Sequence, residues 1–161
     1  MKGGEKVSHR TNFADAFTAA LGGFLSIGTL LLLTSLTGAQ WLMATLAGSC
    51  VLVFGAWNAP FSQPRNIIGG HLLTSTIGII TYNTLGATTF SISFAICISI
   101  FLMMMTKTVH PPAGANPLII LLNGYSWSYL ITPVLIGSII IVVYALIINN
   151  IRQNRKYPLF W

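Results

Sequence analysis

Hydrophobic residues form long runs along almost the whole chain, separated by short segments rich in Gly, Pro, Ser and Asn. An apolar run of about 20 residues is long enough to cross the hydrocarbon core of a bilayer as a helix. The pattern predicts an all-α integral membrane protein whose residues 1–161 form a single transmembrane domain. The predicted spans are residues 16–37, 40–57, 66–86, 88–106, 111–124 and 126–149.

The fifth predicted span contains three prolines. Pro111, Pro112 and Pro117 exclude a regular helix through its first half. Extended residues advance about 3.3 Å each and helical residues about 1.5 Å, so an extended entry followed by a few helical turns still approaches about 30 Å. We therefore expect residues 107–117 to be non-helical in part, and the segment to cross the membrane. A re-entrant hairpin is the alternative.

The composition supports a protein without a soluble part. Hydrophobic residues make up 54% of the chain and charged residues only 6%, whereas roughly a quarter of a soluble domain is charged. The two acidic residues are Glu5 and Asp15, so no carboxylate follows Asp15. Cation and proton pathways in membranes usually rest on Asp or Glu, and no such pathway is available here. The short basic tails offer no surface for a nucleic-acid partner.

The positive charges predict the orientation. With six crossings, all eight basic residues lie on one side of the membrane, and the loops around Gly38, Gly86 and Gly124 on the other side carry no charge. Basic residues retain loops in the cytoplasm. We therefore expect a multi-pass protein of the cell (inner) membrane with both termini cytoplasmic. The eight residues are Lys2, Lys6, Arg10, Arg65, Lys107, Arg152, Arg155 and Lys156.

A weak internal similarity divides the chain into two groups of three spans, about 16–86 and 88–149. Residues 47–54 align with 113–120, and residues 66–70 align with 133–137. Because three is odd, the second group is inverted relative to the first. Inverted repeats with helices interrupted near the midplane are common in transporters. The pattern predicts a 3+3 inverted repeat of this kind.

Two polar segments, 58–71 and 107–117, contain the non-terminal basic residues and two of the three histidines. The sequence His-Pro-Pro-Ala-Gly-Ala at 110–115 and the sequence Gln-Pro-Arg-Asn-Ile-Ile-Gly-Gly-His at 63–71 carry a family resemblance. Over residues 15–150 the chain resembles the HPP family of integral membrane proteins. Members in chloroplasts and cyanobacteria are associated with nitrite transport, so the resemblance implies nitrite here. The family is commonly described with four spans, against the six counted above.

The residues themselves also point to a small anion. Prolines in the second segment predict a helix N-terminus inside the membrane, and Gly48-Ser49 is expected to supply a second one. Free N–H groups at helix N-termini favour anions by about 0.3–1 kcal/mol. We expect a transporter or channel for a small inorganic anion, with no metal or other cofactor. The predicted substrate-binding residues are His110, Gly114, Ala115, Asn116, Gly48, Ser49, Arg65, Asn66, His71 and Lys107.

Each of these residues also has a structural interpretation. Arg65 and Lys107 are equally suited to anchoring loops, His71 to joining two helices, and His110 to capping a helix. Gly69 and Gly70 fit close helix packing as well as ligand contact.

Two other classes of function remain as alternatives. One is an assembly or regulatory subunit, and the other is a histidine-dependent membrane enzyme. An enzyme is disfavoured because no acid is present to orient His71 or His110, and no third metal ligand accompanies them. The three consecutive methionines 103–105 point around a helix and not at one spot, which disfavours a metal site. The small size of the chain suggests a homo-oligomer.

Overall fold

A computed structural model describes residues 12–161, which are helical and contain no strand. Lys2, Lys6 and Arg10 lie outside the described residues, so their side of the membrane stays a prediction. The α-helices are α1 (Phe13–Thr37), α2 (Ala44–Gly55), α3 (Pro64–Leu85), α4 (Thr89–Met105), α5 (Asn116–Asn123) and α6 (Ile136–Asn150). Two 3₁₀ turns, Pro60–Ser62 and Pro111–Ala115, precede α3 and α5. A segment with π-helical hydrogen bonds, Leu130–Leu135, is kinked at Thr132 and continues into α6.

Helix ends follow local sequence signals. The Asn12 side chain accepts a hydrogen bond from the Asp15 amide at the start of α1, and Thr88 forms a capping box with Ser91 at the start of α4. Turn glycines stop α1, α3 and α5 with φ values of 69°, 67° and 66° at Gly38, Gly86 and Gly124. Only glycine adopts this backbone region readily.

The all-α fold class is confirmed for the described residues. Two helical segments, Phe13–Thr37 and Leu130–Asn150, are long and apolar enough to cross a membrane by length and composition. The 12 residues of α2 and the 17 of α4 are shorter than a full span. Many large apolar side chains are exposed, such as Phe24 at 74% and Phe90 at 73%, as expected for a surface that meets lipid. The number of crossings stays a prediction.

The helices pack in two groups, and each group contains two helices of one predicted half and the third helix of the other half. One group contains α1, α2 and α6, and the other contains α4, α5 and α3, while α3 and α6 also contact each other. Small residues allow the close approaches. A Cβ atom at Gly78 of α3 would lie 3.0 Å from Pro117 Cα of α5. Each predicted half of the chain therefore packs its third helix against the other half.

The described charged residues share one end of the bundle, which we call the charged end. Arg155 contacts Asp15 at the start of α1 and the Phe54 carbonyl at the end of α2. The Arg65 guanidinium at the start of α3 donates to the Thr106 carbonyl after α4, at 2.8 Å. Loops 38–43, 86–88 and 124–129 at the opposite end contain no charged residue. The predicted segregation of charge therefore holds for the described residues.

The prediction that residues 107–117 are non-helical in part is confirmed, whereas the predicted interruption in the first half is not found. Residues 106–110 are not helical, and the chain then forms a 3₁₀ turn before α5 begins at Asn116. The predicted N-terminus at Gly48-Ser49 is wrong, because α2 runs unbroken from Ala44 to Gly55. A single glycine costs a helix about 1 kcal/mol, which the surrounding apolar run overcomes. The amides of Gly48 and Ser49 lie inside this helix and are not available to an anion.

Candidate functional site

Two buried histidines share one serine hydroxyl between α2, α3 and the segment before the second 3₁₀ turn. Ser49 Oγ lies 2.8 Å from His71 Nε2 and 2.7 Å from His110 Nε2. All three side chains are 0% exposed, and the imidazole centroids are 5.1 Å apart. We call His71 and His110 the histidine pair, and Ser49 is the bridge between them. They come from three separate stretches of sequence.

Glycines and prolines set the spacing of this cluster. A Cβ atom at Gly70 would lie 2.9 Å from both His110 Cβ and the Thr108 carbonyl oxygen, so only glycine lets the segment approach α3. Gly69 similarly faces Thr108 Cγ2 at 2.9 Å. At both glycines the close-packing interpretation is therefore confirmed. Gly48 of α2 meets Pro112, whose Cβ would be 3.3 Å from an added Cβ.

Asn116 extends the cluster towards the middle of the bundle. Its Nδ2 atom donates to His71 Nδ1 at 3.0 Å and to Ser75 Oγ at 2.9 Å, and its Oδ1 atom accepts from Thr45 Oγ1 at 2.8 Å. Asn116 is only 1% exposed. It is the first residue of α5, not its cap, because Ala115 precedes it as N-cap without a side-chain bond. The asparagine holds the His71 ring in place.

His110 does not cap the following helical turn. It stands at the N-cap position of the 3₁₀ turn, but its side chain makes no capping hydrogen bond there. Instead, His110 Nδ1 lies 2.7 Å from the carbonyl oxygen of Phe61, between α2 and α3. A carbonyl can only accept, so Nδ1 carries the hydrogen. The capping interpretation of His110 is therefore wrong.

The remaining predicted site residues lie apart from the histidines. Arg65 and Lys107 are exposed at the charged end. Asn66 donates from Nδ2 to the Val109 carbonyl at 2.9 Å, so it holds the segment that carries His110. Gly114 is half-buried and Ala115 is exposed, and neither contributes a contact to the cluster. The structure thus joins Ser49, His71, His110 and Asn116 through side-chain hydrogen bonds, in which the other predicted site residues take no part.

Several groups that bond to the cluster were not predicted from the sequence. Thr45 lies one turn before Ser49, and Thr74 and Ser75 lie one turn after His71, so helical spacing could have placed them on the same faces. The Phe61 carbonyl carries no sequence signal, because every residue has one. Within the described part of the chain, no group of three or more metal-ligating side chains forms.

Two grooves lie away from the histidine pair. One of about 480 Å³ opens at the uncharged end, between loop 38–43 and the segment that follows α5. The other, of about 380 Å³, is an apolar groove between α1 and α2. The Gly48-Ser49 stretch of α2 lies close to the segment that carries His110, through the contact of Gly48 with Pro112 and the hydrogen bond between Ser49 and His110. The polar side chains at this contact bond to one another.

The C-terminal tail, residues 151–161, folds back over the charged end. Arg155, 6% exposed, donates to the Phe54 carbonyl at 3.0 Å. The Tyr157 hydroxyl donates to the Ser62 carbonyl at 2.9 Å, and the Leu159 amide donates to Gln63 Oε1 at 2.9 Å. Burial raises the pKa of the Tyr157 phenol above its ordinary value. The tail therefore covers the turn that contains the acceptor of His110.

Comparison with known proteins shows which family the chain resembles. The profile of the family described as "HPP, transmembrane region" matches residues 8–158. A transmembrane protein of Dictyostelium discoideum is 36% identical over 172 aligned positions, covering 99% of this chain and 55% of that protein. A second transmembrane protein of that organism is 35% identical over 130 positions, covering 76% of this chain and 46% of its own. The chain thus spans about half the length of these relatives. No solved structure matches it.

Proposed function

The chain belongs to the HPP transmembrane family, and from this premise we propose that it is a transporter or channel for a small inorganic anion. The observation that carries the proposal is the buried histidine pair, joined through Ser49 inside an apolar helix bundle. Ionisable side chains within a membrane protein are costly and usually mark the route of an ion or substrate. This cluster is that route.

The charges of the bundle favour an anion over a cation. The acidic residue of the described part, Asp15, lies at the charged end, where Arg152 and Arg155 approach it at 3.6 and 3.4 Å. The cluster contains imidazole, hydroxyl and amide donors and no carboxylate. The oxygens of a small monovalent anion would accept the hydrogen bonds that these donors now make to one another. Nitrite is the first candidate because the motifs at 63–71 and 110–115 resemble those of nitrite-associated members of the family.

The packing supports an inverted repeat as part of the proposal. If α1, α2 and α3 correspond to α4, α5 and α6, then the α1–α6 contact corresponds to α4–α3, and the α2–α6 contact to α5–α3. Both pairs of contacts are present. The segregation of charge supports six crossings, with the charged end in the cytoplasm of the cell (inner) membrane. In this arrangement the histidine pair lies between the two halves of the repeat.

The experiment is an anion flux measurement on the purified protein in liposomes. We expect nitrite flux above that of empty liposomes, measured well above the acid range of nitrite so that the anion is the transported species. His110→Gln should lower this flux by about 5- to 150-fold at every salt concentration, because a buried hydrogen-bonding group is worth about 1–3 kcal/mol. Arg65→Gln, at the exposed charged end, should lower it mainly at low salt, where charge steers entry.

The outcomes separate the classes of function. Equal fluxes in protein and empty liposomes, with the protein folded, would overturn the transporter and favour an assembly or regulatory subunit. Flux of nitrate or another monovalent anion in place of nitrite would keep the transporter and change its substrate. An enzyme is not favoured, because the partners that orient the two imidazoles are an amide, a hydroxyl and a backbone carbonyl.

A further inference from the structure

Resting on the proposed anion transport, we infer that the histidine pair binds one proton, that His110 holds it, and that the Ser49 hydroxyl changes its acceptor to admit it. The inference stands on the directions of the hydrogen bonds around the pair. Proton and anion then cross the membrane together, and histidine does the work that a carboxylate does in most proton pathways.

The Asn116 amide fixes the tautomer of His71. Asn116 Nδ2 lies 3.3 Å from the His71 carbonyl oxygen, which can only accept, so the amide nitrogen must face this side. The opposite atom, Oδ1, accepts from Thr45 Oγ1 at 2.8 Å. Nδ2 also faces His71 Nδ1 at 3.0 Å, which must therefore accept. The ring hydrogen of His71 is consequently on Nε2 and points at Ser49 Oγ.

His110 has the opposite tautomer. Its Nδ1 hydrogen is engaged by the Phe61 carbonyl at 2.7 Å, so Nε2 of the neutral ring is free to accept. The Ser49 hydroxyl donates to that nitrogen at 2.7 Å while accepting from His71 Nε2 at 2.8 Å. Every ring nitrogen is then satisfied. The hydrogen bonds run in one direction from Asn116 to Phe61.

A second arrangement satisfies the same atoms with one more proton. Ser49 Oγ also lies 3.1 Å from the Thr45 carbonyl oxygen in its own helix. A proton from water binds His110 Nε2 and forms an N–H bond there, while the Ser49 hydroxyl turns to donate to Thr45. Ser49 Oγ then accepts from both histidines, which uses its two lone pairs. Release of the proton to water reverses these changes.

His71 does not take up the proton in its place. A hydrogen on His71 Nδ1 would point at the Asn116 nitrogen, itself a donor, 3.0 Å away. Turning the amide would bring Asn116 Oδ1 against the His71 carbonyl oxygen at about the 3.3 Å now held by Nδ2. Two acceptors in that position repel each other. The pair is therefore asymmetric, and His110 is the site of protonation.

Among residues 12–161, the other titratable groups do not supply a counter-charge to the pair. Asp15 is bound by arginines at the charged end. Arg65 donates to a backbone carbonyl there, Lys107 is exposed, and the Tyr157 hydroxyl donates to Ser62. The titratable and charged residues on the elements packed against the pair are Cys50, Arg65, Tyr82, Cys97, Lys107 and Tyr157. The positive charge on His110 thus leaves an anion as its natural partner.

The test is nitrogen NMR of the histidine-labelled protein in lipid bilayers, across about pH 4 to about pH 8. A His9→Gln background removes the third histidine. On acidification we expect both ring nitrogens of His110 to carry hydrogen while His71 keeps a single hydrogen, on Nε2. Doubly protonated His71 appearing first, His71 with its hydrogen on Nδ1, or no change in either ring would each overturn the inference.

Ser49→Ala isolates the hydroxyl. In this variant the titration midpoint of His110 should move by about 1 pH unit. The neutral ring loses a neutral hydrogen bond from Ser49 and the protonated ring loses a charge-assisted one, and the two differ in strength. The matched control is Ser138→Ala, a buried serine of α6 that donates to the Leu135 carbonyl. It should leave the midpoint unchanged. An unchanged midpoint in Ser49→Ala would refute the role of the hydroxyl.

The NMR titration tests the proton site, and the flux measurement tests transport, so one claim can be refuted without the other. The NMR titration needs no flux, so it can succeed in a protein that transports nothing. If anion flux occurs, a pH dye inside the liposomes should record protons moving with the anion in the wild type. Anion flux without proton movement would overturn the coupling and leave the transporter in place.

Discussion

Gly70 shows how a single missing methyl group permits the site. The segment that carries His110 packs directly against the α3 backbone at this glycine, with the Thr108 carbonyl and His110 Cβ both 2.9 Å from where a Cβ would lie. Neither neighbour is the end of a flexible side chain. The histidine pair therefore depends on a residue that makes no hydrogen bond to it.

Gly70→Ala should destabilise the protein by about 1–3 kcal/mol, because overpacking forces the segment away from α3. It should also lower the anion flux, since His110 moves with the segment. Thermal unfolding in detergent measures the first effect. Gly28→Ala in α1 is the matched control, because nothing lies within 4 Å of its added Cβ. Its stability should be equal to the wild type or higher, and equal loss in both variants would contradict the packing argument.

One buried cation, Arg155, is among the residues that hold the C-terminal tail to the bundle. Arg155 ties the start of α1, the end of α2 and the end of α6 together through Asp15, Phe54 and Asn149. Tyr157 then reaches the turn before α3. This turn supplies the Phe61 carbonyl that accepts from His110. The tail and the histidine pair are thus connected through one short 3₁₀ turn.

Arg155→Gln should loosen the tail and lower the stability by about 1–3 kcal/mol, since buried acceptors lose a charged donor. Limited proteolysis of the protein in detergent should cleave within 151–161 faster than in the wild type. Lys156→Gln, at the exposed neighbouring residue, removes the same charge and should change neither quantity. Slow cleavage in both variants would show that the tail is held without Arg155.

The two ends of the molecule differ in charge, and this difference predicts how the protein sits in a membrane. In a background without Cys50 and Cys97, Lys156→Cys and Ser126→Cys place one exposed thiol at each end. An impermeant thiol reagent added to sealed vesicles of one orientation should label only one of the two variants. Labelling of both from the same side would contradict a bundle whose ends face opposite sides.

Composition and hydrophobic pattern alone determined the all-α membrane class, the turns at Gly38, Gly86 and Gly124, and the break before α5. These features depend on short-range properties, namely the length of an apolar run, the backbone freedom of glycine and the missing amide hydrogen of proline. The two motifs likewise pointed to the family. The described charged residues lie at one end, as the loop charges predicted.

Only the tertiary structure decided what the site is made of. Ser49, His71, His110 and Asn116 come from three segments, namely α2, α3 and residues 107–117, and their contact depends on how the helices pack around Gly48 and Gly70. The structure also shows that α2 is continuous, against the prediction, and that Arg65 and Lys107 stay outside the hydrogen bonds of the histidine pair, although both were predicted as site residues. The Phe61 carbonyl became an acceptor only because the fold brings it to His110, and a backbone carbonyl leaves no mark in a sequence.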